Sequence, residues 1–417
     1  MRTITAAIPG GTIKAIPAKA HAHRALMAAA LADSASHIRF HRSSRDIDAT
    51  IDSLCGLGAT IERTEDGVRV HPITTPASPG QVRPHESGTT LRLLLPVAAA
   101  LCRTTEVDAK GRLPQRPLEP LLGQMKAHGV TFSKDAPPFT MTGLLSGGTF
   151  SMAGNVSSQF FSGLLLAAPL IGETTVISEG PLQSRDYVRL TIRVLQDFGV
   201  TVNVTGDTFH IPEGSHYHGV KEYAIEGDWS NGAIWLVATA LTGQTITVTG
   251  LTADSVQADR RSAAIIEKAG TTLTYTAEGL TATGKATLPL NVDLEQCPDL
   301  LPILSILACG IEGQSRFYNG ARLRLKESDR LAAMAEMITS LGGSAHIDDD
   351  TLYVNGTGRL AGGKAHCYND HRLVMAGTLA ALISDTPVTL SDSEAITKSY
   401  PQFFDDWQAL GGNSYEL

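Results

Sequence analysis

The sequence predicts an α/β (α+β) fold of two lobes. Each lobe is expected to be an inside-out α/β barrel, with three repeated units of about 70 residues around buried parallel helices. Three observations lead there. The 417 residues exceed what one ordinary core holds. Six glycines (Gly58, Gly129, Gly199, Gly270, Gly342 and Gly411) follow one another at intervals of about 70 residues. Between them, helices apolar along one stripe alternate with helices apolar almost all round.

Each unit reads as strand, polar turn, helix, glycine, strand. In the fifth copy Leu331, Met334, Ile338 and Leu341 step by three or four, so that helix buries one face. The glycine just past the helix suits a left-handed C-terminal cap. The second helix type occupies 91–101, 160–170, 233–241 and 300–308. Being apolar on all sides, it belongs in an interior. A linear stack would leave such helices uncovered, whereas three units closed around three central helices cover them. Two such triplets put the lobe boundary near residues 225–229.

Composition limits the partners. Hydrophobic residues at 42% and charged residues at 18% give an ordinary globular balance, which excludes the disordered class. A net charge of -8 argues against nucleic-acid or anionic-membrane partners, which need a broadly basic face. Any bound anion must be small and met by a local cluster. The cysteines Cys55, Cys102, Cys297, Cys309 and Cys367 are odd in number and lack C-x-x-C spacing. They read as reduced packing residues of a cytoplasmic protein. The start M-R-T-I-T-A-A-I-P-G-G has no long apolar run, so no secretory signal is expected. Apolar stretches such as 164–170 are too short to span a bilayer. His21 with His23, His216 with His218, and His366-Cys367 with His371 lack zinc spacing, and no metal is expected.

Against this acidic background, R-L-R-L-K-E-S-D-R at 322–330 gathers four basic and two acidic residues before a helical pattern. Basic residues recur at matching turns: Arg45, Arg116, Arg185, Lys326 with Arg330, and Lys398. The apolar helices begin around Arg24, Thr89, Gln159, Asn231, Asp299 and Arg372, among residues suited to capping. Capping alone accounts for any one of them. If three helices of a lobe start at one end, their unpaired N–H groups add up to an electropositive face. The expectation is therefore a cleft between two lobes, lined by cations, for a ligand with several negative groups. Asp299 and Glu327 stand among these cations as first-turn acids or as proton carriers; residue type leaves both roles open.

The motifs as a set resemble the 5-enolpyruvylshikimate-3-phosphate synthase family, the 3-phosphoshikimate 1-carboxyvinyltransferases. They are K-A-H-A-H-R-A-L at 19–26, S-G-T-T-L-R at 87–92, Q-R-P-L at 115–118, V-S-S-Q-F at 156–160, S-R-D-Y at 184–187, P-D at 298–299, R-L-K-E-S-D-R-L at 324–331, Y-N-D-H-R at 368–372 and T-K-S-Y-P at 397–401. The resemblance spans essentially the whole chain. It implies lobes of residues 15–226 (shikimate 3-phosphate side) and of 1–14 with 227–417 (phosphoenolpyruvate side). It also implies transfer of the enolpyruvyl group of phosphoenolpyruvate to the 5-hydroxyl of shikimate 3-phosphate, with release of phosphate. No metal or organic cofactor is implied, and a monomer is expected.

Carried over to this chain, the resemblance implies that Lys19, Gly88, Arg116, Gln159, Arg330, Arg372 and Lys398 meet phosphoenolpyruvate. Lys19, Arg24, Ser157, Ser158, Gln159, Ser184, Tyr187, Asp299 and Lys326 would meet shikimate 3-phosphate. Lys19, Asp299 and Glu327 would be catalytic, Asp299 taking the hydroxyl proton and Glu327 protonating the methylene carbon. The chain departs from the family at Ala20, where the common P-G-S-K-S pattern has serine after the lysine, and in a segment one residue shorter before Lys19. One lost hydrogen bond to a charged group is worth about 1.5–3 kcal/mol. Glu86-Ser87-Gly88-Thr89 replaces the common N-A-G-T. Both departures bear on affinity and on sensitivity to the herbicide glyphosate more than on reaction type. Two alternatives share these features: the sister enolpyruvyl transferase acting on UDP-N-acetylglucosamine, which uses a loop cysteine as acid, and a non-catalytic anion-binding paralogue.

Overall fold

The computed structural model describes residues 1–5, 7 and 9–417. Two compact units emerge, one of Pro17–Ile225 and one of Met1–Ile16 with Glu226–Leu417. The first holds α1 (Lys19–Ala30), α2 (Arg45–Leu57), α3 (Gly88–Leu101), α4 (Leu121–Ala127), α5 (Ser158–Ile171) and α6 (Arg185–Asp197). The second holds α7 (Trp229–Thr242), α8 (Arg261–Lys268), α9 (Leu301–Cys309), α10 (Arg330–Ser340), α11 (His371–Ala380) and α12 (Phe403–Ala409). Odd-numbered helices are buried nearly all round, as the apolar runs predict. In α7 every residue from Trp229 to Leu241 is buried. Even-numbered helices bury one stripe; Leu331, Met334 and Ile338 of α10, with Leu341 just beyond it, are fully buried.

Among the described residues six four-stranded sheets complete the architecture. Each has one parallel pair of strands and two antiparallel pairings; in most, the antiparallel strands form a hairpin after the amphipathic helix. Gly148–Ala153 runs parallel to Thr174–Glu179 with Phe150 opposite Val176, both buried against the helices. Thr208–Ile211 and Asn203–Thr205 extend that sheet antiparallel. In the unit of Pro17–Ile225 the first repeat borrows its outer strand from the end of the unit: Glu222–Ala224 lies parallel to Ser36–Arg39. In the other unit Gly11–Lys14 lies parallel to Ile246–Thr249, and Arg2–Thr5 sits between Val388–Leu390 and Asn413–Glu416.

All six repeat glycines have positive φ, from 83° at Gly342 to 117° at Gly58, so each helix is terminated by the same left-handed turn. Close approach fixes one more glycine. A Cβ at Gly163 of α5 would lie 2.5 Å from the Arg92 carbonyl of α3, so only glycine lets these two buried helices touch. No helix among the described residues is long and apolar enough to cross a membrane.

Candidate functional site

In the unit of Pro17–Ile225 the motif residues gather at the starts of α1, α3, α5 and α6. Lys19 opens α1 and its Nζ lies 2.7 Å from Asp46 Oδ2, just inside α2. Arg24, a little over one turn along, is 1% exposed. Its Nε donates to Thr191 Oγ1 (2.7 Å), Nη1 to the Ala20 carbonyl (2.7 Å), and Nη2 to Ser162 Oγ (3.3 Å) and the Tyr187 carbonyl (3.2 Å). Among the described residues none of these acceptors carries charge. Burial lowers the Arg24 pKa to about 10, which still leaves it charged at neutral pH. Ala20, the departure from the common serine, thus contributes its carbonyl to this guanidinium.

Ser87 caps α3 by accepting from Thr90 N at 3.2 Å, and the guanidinium of Arg116 lies across that helix start. A Cβ on Gly88 would fall 2.7 Å from Arg116 Nη1. Gln159, in the first turn of α5, donates to Thr89 Oγ1 (2.9 Å) and accepts from Arg92 Nη1 (3.0 Å). Arg92 Nη2 donates to the Pro117 carbonyl at 3.1 Å, tying the loop that carries Arg116 to the same network. Ser157 caps α5, Ser158 is buried in its first turn, and Ser184 precedes α6 with a left-handed φ of 52°. Non-glycine residues held in that region cluster at functional sites.

In the unit of Met1–Ile16 with Glu226–Leu417, the cluster of 322–330 folds around one side chain. Ala321–Leu325 forms a 3-10 turn and Arg330 opens α10 at 1% exposure. Its fork meets three carboxylates. Nε and Nη2 reach Asp370 at 2.8 and 3.1 Å, Nη1 reaches Asp299 at 2.7 Å, and Nη2 reaches Glu327 at 2.9 Å. Lys326 Nζ lies 3.1 Å from the same Asp299 oxygen. Burial alone would raise the Asp299 pKa, but Lys326, Arg330 and Arg372 together pull it well below the usual carboxylate range. Lys326 is shifted down by its own burial, which its attraction to Asp299 only partly offsets.

Asp370 caps α11 by accepting from Arg372 N (2.9 Å), and Arg372 Nη1 donates to the Ser230 carbonyl (2.9 Å). Lys398 Nζ donates to the Asn369 carbonyl at 2.7 Å, where Tyr368 and Asn369 both hold positive φ. Apart from Arg24 in the second turn of α1, the cations expected from the motifs stand at helix starts or turns of their own unit.

The sequence reading missed the counter-charges. Asp46 and Asp370 engage Lys19 and Arg330, yet neither stood out among ordinary capping acids; the position of Asp370 before an apolar helix was the available signal. Arg330 is the hub of an acidic trio here, a role that its assignment as a ligand of phosphoenolpyruvate did not foresee. Side-chain caps exist at four of the six buried helices, from Ser87, Ser157, Asp228 and Asp370, while Ala18 and Leu300 precede α1 and α9 without one. Among the described residues no group of three or more His, Cys, Asp or Glu side chains is placed to hold a metal ion. All five cysteines are free, and burial pushes Cys297 and Cys309 up to about 12.

Threefold α/β units with guanidinium groups buried at helix starts, and three carboxylates sharing one of them, define a protein that handles small, multiply charged anions. The chain belongs to the family described as EPSP synthase (3-phosphoshikimate 1-carboxyvinyltransferase), whose sequence model matches residues 7–407. It is 34% identical to a 3-phosphoshikimate 1-carboxyvinyltransferase of Clostridium botulinum (strain Eklund 17B / Type B), over 97% of this chain and 96% of the relative. It is 35% identical to one of Methanocorpusculum labreanum, over 97% of both. A solved EPSP synthase structure from Acinetobacter baumannii shares the fold, with a TM-score of 0.81 at 24% identity over 100% of this chain and 99% of that one.

Proposed function

We propose that this protein transfers the enolpyruvyl group of phosphoenolpyruvate to the 5-hydroxyl of shikimate 3-phosphate, giving 5-enolpyruvylshikimate 3-phosphate and phosphate. The observation that carries this reading is the trio at Arg330. Asp299 and Glu327 share one guanidinium, Asp299 at Nη1 and Glu327 at Nη2, and Lys326 Nζ lies 3.1 Å from Asp299. Two carboxylates in unlike settings divide acid from base work.

Glu327 delivers a proton to the methylene carbon of phosphoenolpyruvate, leaving the adjacent carbon electron-poor. The 5-hydroxyl oxygen bonds to that carbon while Asp299 takes its proton. The tetrahedral adduct then breaks its bond to the phosphate oxygen, and a methyl proton returns to Glu327 as the double bond re-forms. Asp299 is a weak base while three cations hold it. Substrate phosphates and carboxylates draw on the same cations, and its basicity rises as they bind.

Lys19, Gly88, Arg116, Gln159, Arg330, Arg372 and Lys398 meet phosphoenolpyruvate in this reading. Lys19, Arg24, Ser157, Ser158, Gln159, Ser184, Tyr187, Asp299 and Lys326 meet shikimate 3-phosphate. Arg24 supports its share best: a buried cation with neutral partners gains most from an arriving anion. We infer further a monomeric cytoplasmic enzyme that needs no metal or organic cofactor and has no nucleic-acid or membrane partner, in keeping with five free cysteines and a net charge of -8. Incubating the purified protein with both substrates and following phosphate release, with product mass, tests the reading. Absence of phosphate release overturns it.

A further inference from the structure

Asp259 lies in the 3-10 turn Ala258–Arg260 that leads into α8, 1% exposed. Ser230 Oγ donates to its Oδ2. Its other oxygen is buried without a hydrogen-bond partner, and among the described residues Asp259 forms no ion pair. A buried carboxyl with a single hydroxyl partner is destabilising, so its retention calls for an explanation beyond packing.

The explanation lies one residue away. Ser230 sits in the first turn of α7, and its carbonyl accepts from Arg372 Nη1 at 2.9 Å. That is the side chain's one hydrogen bond among the described residues, since Arg372 Nε is buried and unpartnered. The direction of this guanidinium therefore depends on where the Ser230 peptide stands, and Asp259 holds that residue by its hydroxyl. We propose that Asp259 is a positioning residue which, through Ser230, sets the orientation of Arg372 and with it the affinity for phosphoenolpyruvate.

This rests on the functional reading above, in which Arg372 meets that substrate. The groups facing Asp259 add a second consequence. Burial, then Asp299 and Asp228, push its pKa up, Arg372 and Lys326 pull it down, and the balance leaves it at about 7. A neutral Asp259 leaves the charge of Arg372 to the substrate. An ionised one competes for it, and the KM for phosphoenolpyruvate rises as pH passes 7.

The test is steady-state kinetics of Asp259→Ala, Asp259→Asn and Ser230→Ala. In Asp259→Ala the KM for phosphoenolpyruvate should rise about 10-fold, the loss from one displaced charged contact, while the KM for shikimate 3-phosphate stays within about 2-fold. Asn keeps a partner for Ser230 and should restore most of the affinity while flattening the pH dependence of that KM. Ser230→Ala should add nothing on top of Asp259→Ala. Both KM values unchanged, or both rising together, would overturn the proposal. If Asp259→Ala does not fold, a pH profile for Asp259→Asn identical to wild type overturns it instead. Wild-type turnover in the same assay separates the outcomes: no turnover refutes the reaction, whereas normal turnover with no split in KM refutes only the positioning role.

Discussion

Arg24 and Arg330 are both 1% exposed, and each begins its work near the start of a helix in its own unit. Their surroundings are opposite. Arg24 is held by two hydroxyls and two carbonyls, Arg330 by the carboxylates of Asp299, Glu327 and Asp370. Burial lowers the pKa of the first to about 10. In the second, burial would also lower it, but Asp370, Glu327 and Asp299 win and raise it. Equal burial thus yields two arrangements: a cation among neutral acceptors, and a cation that organises acids. The lesson is that a buried arginine's role is read from its acceptors, not from its depth.

The sharpest way to break this contrast is at the acids that Arg330 organises. Glu327→Gln should fold and lose about 10³-fold in kcat, within the range for a positioned acid, as followed by phosphate release. A loss under about 10-fold would remove Glu327 from the acid role. Next in size, Arg330→Met strands three carboxylates and should cost about 3–5 kcal/mol in urea unfolding. Arg24→Met should change stability by less than about 1 kcal/mol, because its former acceptors already pair with one another. Thr191 Oγ1 donates to Ser162 Oγ at 2.8 Å and approaches the Tyr187 carbonyl at 3.1 Å. Arg24→Met should instead raise the KM for shikimate 3-phosphate about 100-fold, the loss of a charge-assisted contact. Equal destabilisation by the two changes would erase the distinction.

A smaller effect is expected from pH. Asp259 has its folded pKa raised from 3.8 to about 7, so the native state is penalised wherever the unfolded chain has already released that proton. The penalty is absent below pH 4, grows as pH rises from 4 to 7, and is complete above 7. Asp259→Asn removes it and should melt several degrees above wild type at pH 8 but level with it at pH 4. A constant difference across that range would show that the carboxyl does not titrate there.

The fold was legible because its signals are local. A glycine past each helix, an apolar stripe and an all-apolar run each need only a few neighbouring residues, and Gly58, Gly129, Gly199, Gly270, Gly342 and Gly411 all take the left-handed turn. The cations were legible by the same logic, since they recur at matching turns. The acids were not. Lys19 meets Asp46 from 27 residues away, Arg330 meets Asp370 from 40 away, and Ser230 meets Asp259 from 29 away. Lys19–Asp46 and Ser230–Asp259 join the two helices of one repeat and Arg330–Asp370 joins two successive repeats; all depend on how helices pack, and periodicity gives the buried face of a helix without naming what lies opposite. Asp259 carried the least signal, because its copy of the turn lacks the matched basic residue that drew attention to the others.

Gly88 and Arg116 offer the finest test. The resemblance places Gly88 among the residues that meet phosphoenolpyruvate, and the structure sets the Arg116 guanidinium against it. Adding a methyl at Gly88 puts carbon 2.7 Å from Arg116 Nη1, closer than real Cβ contacts allow. The end of a long side chain yields more readily than backbone, so Gly88→Ala should cost under about 1 kcal/mol of stability, helped by alanine's better helix propensity. The displaced guanidinium should raise the KM for phosphoenolpyruvate a few-fold and leave that for shikimate 3-phosphate alone. Arg116→Lys in the Gly88→Ala background separates the two accounts. If the methyl acts by moving Arg116, the second change adds little; if it acts on the substrate directly, the two losses multiply.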